Sequence, residues 1–150
     1  MKKILRLLPL LLIAVMGISL SSCSDNDEPV SSRELPSIAK DFIIVNYPSA
    51  SIVSVEKDKS EYDVVLSDGT KIEFNKNGDW LEVEAAPTKS IPTGFYPYKI
   101  DTYLQENFQG LGITEITRVD RGYDVEISTG TELLFAHDGS FIMIGVDRRQ

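Results

Sequence analysis

Apolar and polar positions along this chain follow two alternating periods, and the change of period happens twice. From Leu35 to Tyr47, the residues Ala39, Phe42, Ile43, Asn46 and Tyr47 recur at helical spacing, and Pro48 stops the run. From Ser51 the period shortens to two. Ser51 to Lys57 predicts a strand. Tyr62, Val64 and Leu66 alternate with Asp63, Val65 and Ser67, and Thr70, Ile72 and Phe74 alternate with Lys71, Glu73 and Asn75. Asp79 to Glu84 predicts the last strand of this set. Asp68-Gly69, as the central pair of one turn, and Asn77-Gly78 predict the hairpins. Tyr96 to Phe108 then predicts a second helix, with Ile100, Tyr103, Leu104 and Phe108 on one face and Gly110 and Gly112 ending it. Helices this short are marginal in water, so each must dock on a sheet.

The second half of the chain repeats the first at a constant offset. Tyr62, Asp63, Val64, Ser67, Gly69, Thr70, Phe74 and Gly78 recur as Tyr123, Asp124, Val125, Ser128, Gly130, Thr131, Phe135 and Gly139. Trp80 falls on Phe141, and Pro36, Asn46 and Ile52 fall on Pro97, Asn107 and Ile113. The expected fold is α+β: two tandem units, each a helix followed by three or four antiparallel strands. They span residues 35–86 and 96–146, with a Pro- and Gly-containing linker at 87–95. One helix covers only one face of such a sheet. The linker is short, so the units are expected to pack side by side or edge to edge.

The segment ahead of the first unit reads as address rather than fold. Lys2, Lys3 and Arg6 precede an apolar run from Leu7 to Ile18, the layout of a secretory signal over residues 1–22. The run is shorter than the roughly 20 residues of a spanning helix. Leu20-Ser21-Ser22-Cys23 resembles the lipobox of bacterial lipoproteins, which implies lipidation at Cys23. The other reading is an ordinary signal peptide with a chance cysteine. Residues 23–34 are polar and acidic and predict a flexible tether. Asp25, Asp27 and Glu28 resemble a surface-export signal, or serve as a solvated spacer. The expected location is the outer membrane, lipid-anchored, on its periplasmic or outer side.

Composition narrows the chemistry. The chain of 150 residues has a formal charge of −8 with one cysteine and one histidine. Removing Lys2, Lys3 and Arg6 with the signal takes three positive charges from −8, leaving −11. Such a chain is expected to avoid nucleic acid, whose phosphates repel it. A single cysteine forms no internal disulfide.

The pattern carried by Leu35, Pro36, Ile38, Phe42, Tyr47, Pro48, Ala50, Ile52, Val55, Tyr62, Val64, Leu66, Asp68, Gly69, Phe74, Gly78 and Trp80 resembles the PepSY-like family of secreted bacterial proteins, also described as β-lactamase-inhibitor-protein-like. The second unit departs from it at Tyr96-Pro97, Thr129-Gly130 and Phe141. The resemblance implies an α+β repeat and a binding or inhibitory role. Because its residues are core and turn residues, it implies no particular target.

No reaction chemistry stands out, and no catalytic residue, metal ligand or cofactor is expected. Asn75 to Asp79 is like the front of a calcium loop, but its twelfth position is Ala86 where a glutamate is needed. A hairpin turn explains it. His137 has no second histidine or cysteine to complete a zinc site. Asp63, Glu73, Glu82, Glu84, Asp124, Glu126 and Glu132 fall where alternation predicts a solvated sheet face. The feature of interest is apolar residues of the wrong parity. If Ile72 and Phe74 point to the helix, their partners Leu81 and Val83 do too, and Trp80 points away. Phe141, Met143 and Leu134, with Val65, would join it on the open face as a protein-binding surface. Burial by the other unit or a second copy would explain these residues equally, and a bulge would reverse the parity. The expectation is a non-catalytic, lipid-anchored envelope module that binds an envelope or secreted protein. Inhibition of a secreted hydrolase is its sharpest form. The alternative is a structural or stress-related envelope lipoprotein.

Overall fold

A computed structural model describes residues 28–145. The expected signal, Cys23 and the first part of the tether lie outside the described residues. Strand β1 (Glu28–Pro29) precedes helix α1 (Ser37–Asn46) and strands β2 (Ile52–Lys57), β3 (Glu61–Leu66), β4 (Lys71–Asn75) and β5 (Trp80–Glu84). Helix α2 (Tyr98–Asn107) and strands β6 (Ile113–Val119), β7 (Gly122–Ile127), β8 (Glu132–Phe135) and β9 (Phe141–Ile144) follow. Among the described residues these nine strands form one sheet in chain order, every neighbour antiparallel. The α+β class and the two helix-plus-sheet repeats are therefore present.

The units join edge to edge. Glu82, Val83 and Glu84 of β5 pair with Thr117, Ile116 and Glu115 of β6. The apolar stripe of each helix lies on the same side of the sheet. Ala39 and Ile43 of α1 and Ile100 and Leu104 of α2 are buried there against Val64, Ile72, Phe74, Val83, Ile116, Val125, Leu133 and Phe135. Pro36 and Pro97 stand just ahead of the first turn of each helix, where a missing N–H costs nothing. The tether is shorter than expected. From Glu28 it joins the sheet, and the Val30 N–H donates to the Val55 carbonyl at 3.0 Å.

The hairpin turns differ from the expected two-residue form. Gly69, Gly78, Gly130 and Gly139 donate to the carbonyls of Leu66, Asn75, Ile127 and Ala136, closing loops one residue longer. Each of these glycines has a positive φ, from 78° to 96°, the conformation a three-residue loop requires of its last residue. Gly78 is doubly constrained, because a Cβ there would sit 2.9 Å from the Ala39 amide nitrogen and from the Pro36 Cβ. This turn seats the start of α1. Gly78→Ala is therefore expected to destabilise the fold by about 3 kcal/mol, the sum of left-handed strain and overpacking. Chemical denaturation measures it directly. Gly69→Ala, whose Cβ would be no nearer than 3.5 Å to any heavy atom, should cost only the strain.

Bulges follow the turns and decide which side chains enter the core. Phe74 faces Trp80, Glu73 faces Glu82 and Ile72 faces Val83, so Leu81 is the extra residue. The same irregularity recurs in the second unit, where Phe135 faces Phe141 and Leu134 faces Met143. Both units also shift register early in their first long strand, at Ile52/Ser54 and Ile113/Glu115.

Candidate binding face

The bulges at Leu81 and Ile142 overturn the expected orientation of Trp80 and Phe141. Trp80 is 4% exposed and lies on the helix side. Its ring lies 6.4 Å from that of Phe42, 5.2 Å from Phe95 and 6.1 Å from Tyr123, and the Arg118 guanidinium lies 4.1 Å from the ring centre. Phe141 is half-buried and stacks on Tyr103 at 4.3 Å. Neither belongs to the open face. Strict alternation fails here because a bulge places two successive odd-and-even positions on one side. Val65, Leu134 and Met143 do lie on the open face, but not together. Val65 pairs with Lys71 on β4, whereas Leu134 pairs with Met143 on β9. Five strand spacings, roughly 24 Å, separate β3 from β8. An aromatic and methionine patch spanning both units does not form.

What the pairing does bring together is carboxylate. In one row across the sheet, Glu56 faces Asp63, Asp63 faces Glu73 and Glu73 faces Glu82, continuing to Thr117 and Asp124. In the adjacent row Lys71 faces Glu84, then Glu115, Glu126 and Glu132 follow strand by strand. Residues directly opposite in an antiparallel pair share a face, so both rows lie opposite the helices. The other basic residues of the strands lie elsewhere. Lys57 sits over the Tyr62 ring, and Arg118 over Trp80, on the helix side. Among the described strand residues, Lys71 is the basic side chain on this face, and it bonds Glu84 at 2.9 Å. The Thr117 hydroxyl donates to Glu82 at 3.2 Å.

This crowding is visible in the titration of the face. Burial, a hydrogen bond with Glu61, and the charges of Glu61, Asp63 and Glu82 push Glu73 up to about 7. Burial and the charges of Glu82, Glu126, Glu84 and Asp124 raise Glu115. Elsewhere the Lys99 ammonium and the Ser140 amide and hydroxyl hold Asp138 well below the usual carboxylate range, and the Ser60 and Glu61 amides lower Asp58. The signs differ. Glu73 binds its proton more tightly folded than unfolded, so it lowers stability as pH rises from its ordinary 4.5 towards 7. Asp58 and Asp138 bind theirs less tightly, so their contribution is lost as pH falls through 3.8 and below. The melting temperature should therefore peak between these limits and decline by about 3 °C towards pH 8. Glu73→Gln should flatten the upper limb, as a series of thermal melts across pH would show.

Depressions on this face are shallow. Asp63, Val65, Lys71, Glu73, Glu82 and Glu84 border one of about 140 Å³, and Val119, Arg121, Asp124, Glu132, Leu134 and Met143 border a broader one of about 540 Å³. Among the described residues no three His, Cys, Asp or Glu side chains converge to hold a metal. The Asn75 carboxamide oxygen is used within its turn, accepting from the Asn77 and Asp79 amides. His137 is exposed in the β8–β9 turn, its Nε2 3.1 Å from the Asp120 carbonyl oxygen.

A family model described as "Putative beta-lactamase-inhibitor-like, PepSY-like" matches residues 23–64 and 60–143. The chain belongs to this PepSY-like family. No curated protein matches it. Solved structures do. A "putative calcium-regulated periplasmic protein" of Bacteroides thetaiotaomicron is 28% identical, with a TM-score of 0.75 over 81% of this chain and 98% of that one. Two proteins of Bacteroides vulgatus, each described as a "putative periplasmic protein" and one as of unknown function, are 28% and 30% identical. Their TM-scores are both 0.74, over 82% and 80% of this chain and 99% of each of theirs. All three neighbours are described as putative periplasmic proteins.

The acidic rows were only partly legible from the sequence. Alternation assigns most of these carboxylates to a solvated face, but Glu56 and Glu115 are missed. Their signal is the same alternation, in Val55-Glu56 and Thr114-Glu115-Ile116, read one strand earlier in each unit.

Proposed function

We propose that this protein is a non-catalytic envelope binding module, held to the outer membrane through Cys23, whose open sheet face holds the basic surface of another envelope or secreted protein. The observation that carries this reading is the registration of the carboxylates. Like charges placed directly opposite one another weaken a sheet, yet here they face one another from Glu56 to Glu82 in one row and from Glu84 to Glu132 in the other, which crosses the seam between the units. A partner bearing lysines and arginines would relieve that repulsion on binding and be steered to the face from a distance. The spread of the rows suits an extended protein surface better than one metal ion, which needs ligands converging on a point. The location agrees with the periplasmic description of the relatives. The target's being a secreted hydrolase is the form that the family's description suggests.

The test uses the chain from Ser24 to Gln150, which includes every residue of the described fold, immobilised as bait for envelope and secreted extracts. The variant Glu82→Lys/Glu115→Lys is the control. Capture of a basic protein that salt releases and the variant loses supports the reading. Capture indifferent to the variant rejects the face, and capture of nothing favours a structural role. A parallel calcium titration decides whether a cation alone occupies the rows.

A further inference from the structure

The two edges of this sheet are built differently. One edge is β1, two residues long, with Pro29 on it and Glu28 beside it. Short length, proline and charge are the means by which an edge is kept from pairing. Among the described residues the other edge is β9, whose sequence is Phe141-Ile142-Met143-Ile144. Ile142, Met143 and Ile144 are 37%, 44% and 54% exposed. It carries no charge and no proline. The Gly145 N–H donates to the Glu132 carbonyl at 2.8 Å, and Met143 faces Leu134. Donors alternate along a strand, so the Ile144 N–H points away from β8, out of the sheet.

In the mature chain the tether cannot cover this edge. It enters at β1, eight strand spacings away, roughly 38 Å. Residues 23–27 reach about 17 Å fully extended. The cover for such an edge is another extended strand.

We propose that β9 is a self-pairing edge, and that its occupant is β9 of a second copy of this chain, antiparallel to it. An antiparallel pair of identical strands has a two-fold axis perpendicular to the sheet. Both helix layers then lie on one side and both acidic faces on the other. The two sheets become one, twice as wide, with a single continuous acidic face and a lipid tether at each outer rim. Apolar side chains meet on both sides of the new pair, in a register centred between Ile142 and Met143. The negative charge of each copy opposes the association, so salt should strengthen this dimer, whereas it should weaken a charge-driven contact with a basic partner.

The test is light scattering on the Ser24–Gln150 protein at concentrations from about 5 to 500 µM, at low and high salt, because a self-association is read from its concentration dependence. Wild type should move from monomer to dimer mass, and more readily in high salt. Ile144→Pro removes the outward donor and leaves the bond from Gly145 to Glu132. Ile144→Lys keeps the backbone and puts a charge on the edge. Both should remain monomers, their apparent association at least tenfold weaker, with far-ultraviolet circular dichroism unchanged. If proline disturbs the spectrum, the lysine variant decides. A wild type that stays monomeric throughout, or a dimer that survives Ile144→Lys, overturns the proposal.

Discussion

Trp80→Ala should lower the stability of the fold by about 3–5 kcal/mol, the range for removing a large buried aromatic side chain. The value should lie at the upper end, because Trp80 joins three parts of the molecule. It meets Phe42 from α1, Phe95 from the segment between the units, and Tyr123 and Arg118 from the second unit. Its loss opens a cavity at the seam where β5 pairs with β6, and leaves the Arg118 guanidinium without its ring. Phe141→Ala should cost less, about 2–3 kcal/mol, because Phe141 is half-buried and packs within one unit on Tyr103 and Phe135. Denaturant unfolding of both variants beside Phe74→Ala measures the order. At temperatures where Trp80→Ala remains folded, its capture of a partner should match wild type. Unchanged stability with capture abolished would put Trp80 on the binding surface after all.

Reversing charge in the middle of the acidic rows should do the opposite on both counts. Glu82 and Glu115 belong to the strands that join the units. Glu82 lies between Glu73 and Thr117, and Glu115 lies between Glu84 and Glu126. Changing both to lysine turns repelling neighbours into ion pairs. A gain in stability of about 1 kcal/mol is expected, a few tenths for each relieved or new cross-strand pair. Binding of a basic partner should fall by about a hundredfold or more, and its salt dependence should flatten. A substitution that stabilises the fold while removing binding marks a surface kept at a cost to folding. If stability rises and binding is unaffected, the rows are a solvated face and nothing more. If both fall together, the variant has damaged the sheet.

These two predictions also mark where the residue pattern was informative and where it was not. Strand and helix positions follow from local periodicity, so α1, α2 and the long strands lie within a residue or two of their expected spans. Turn sites follow from glycine. The turn length does not, since Asn77-Gly78 fits a two-residue loop and the last two residues of a three-residue loop equally well. That single residue, and the bulge that compensates it, moved Trp80 from the expected open face into the core.

By itself the amino-acid sequence determined the class of fold, its duplication, the face each helix buries, and an acidic character. These depend on spacing within a strand or helix and on composition, which are local quantities. The tertiary structure alone decided three things: that the units share one sheet, that carboxylates from separate strands fall into register across the β5–β6 seam, and that among the described residues the apolar strand β9 is an edge of that sheet. Each of these is a property of which strands pair and in what register. Register is settled by turns and bulges together with the packing of the core, and no single segment contains that information.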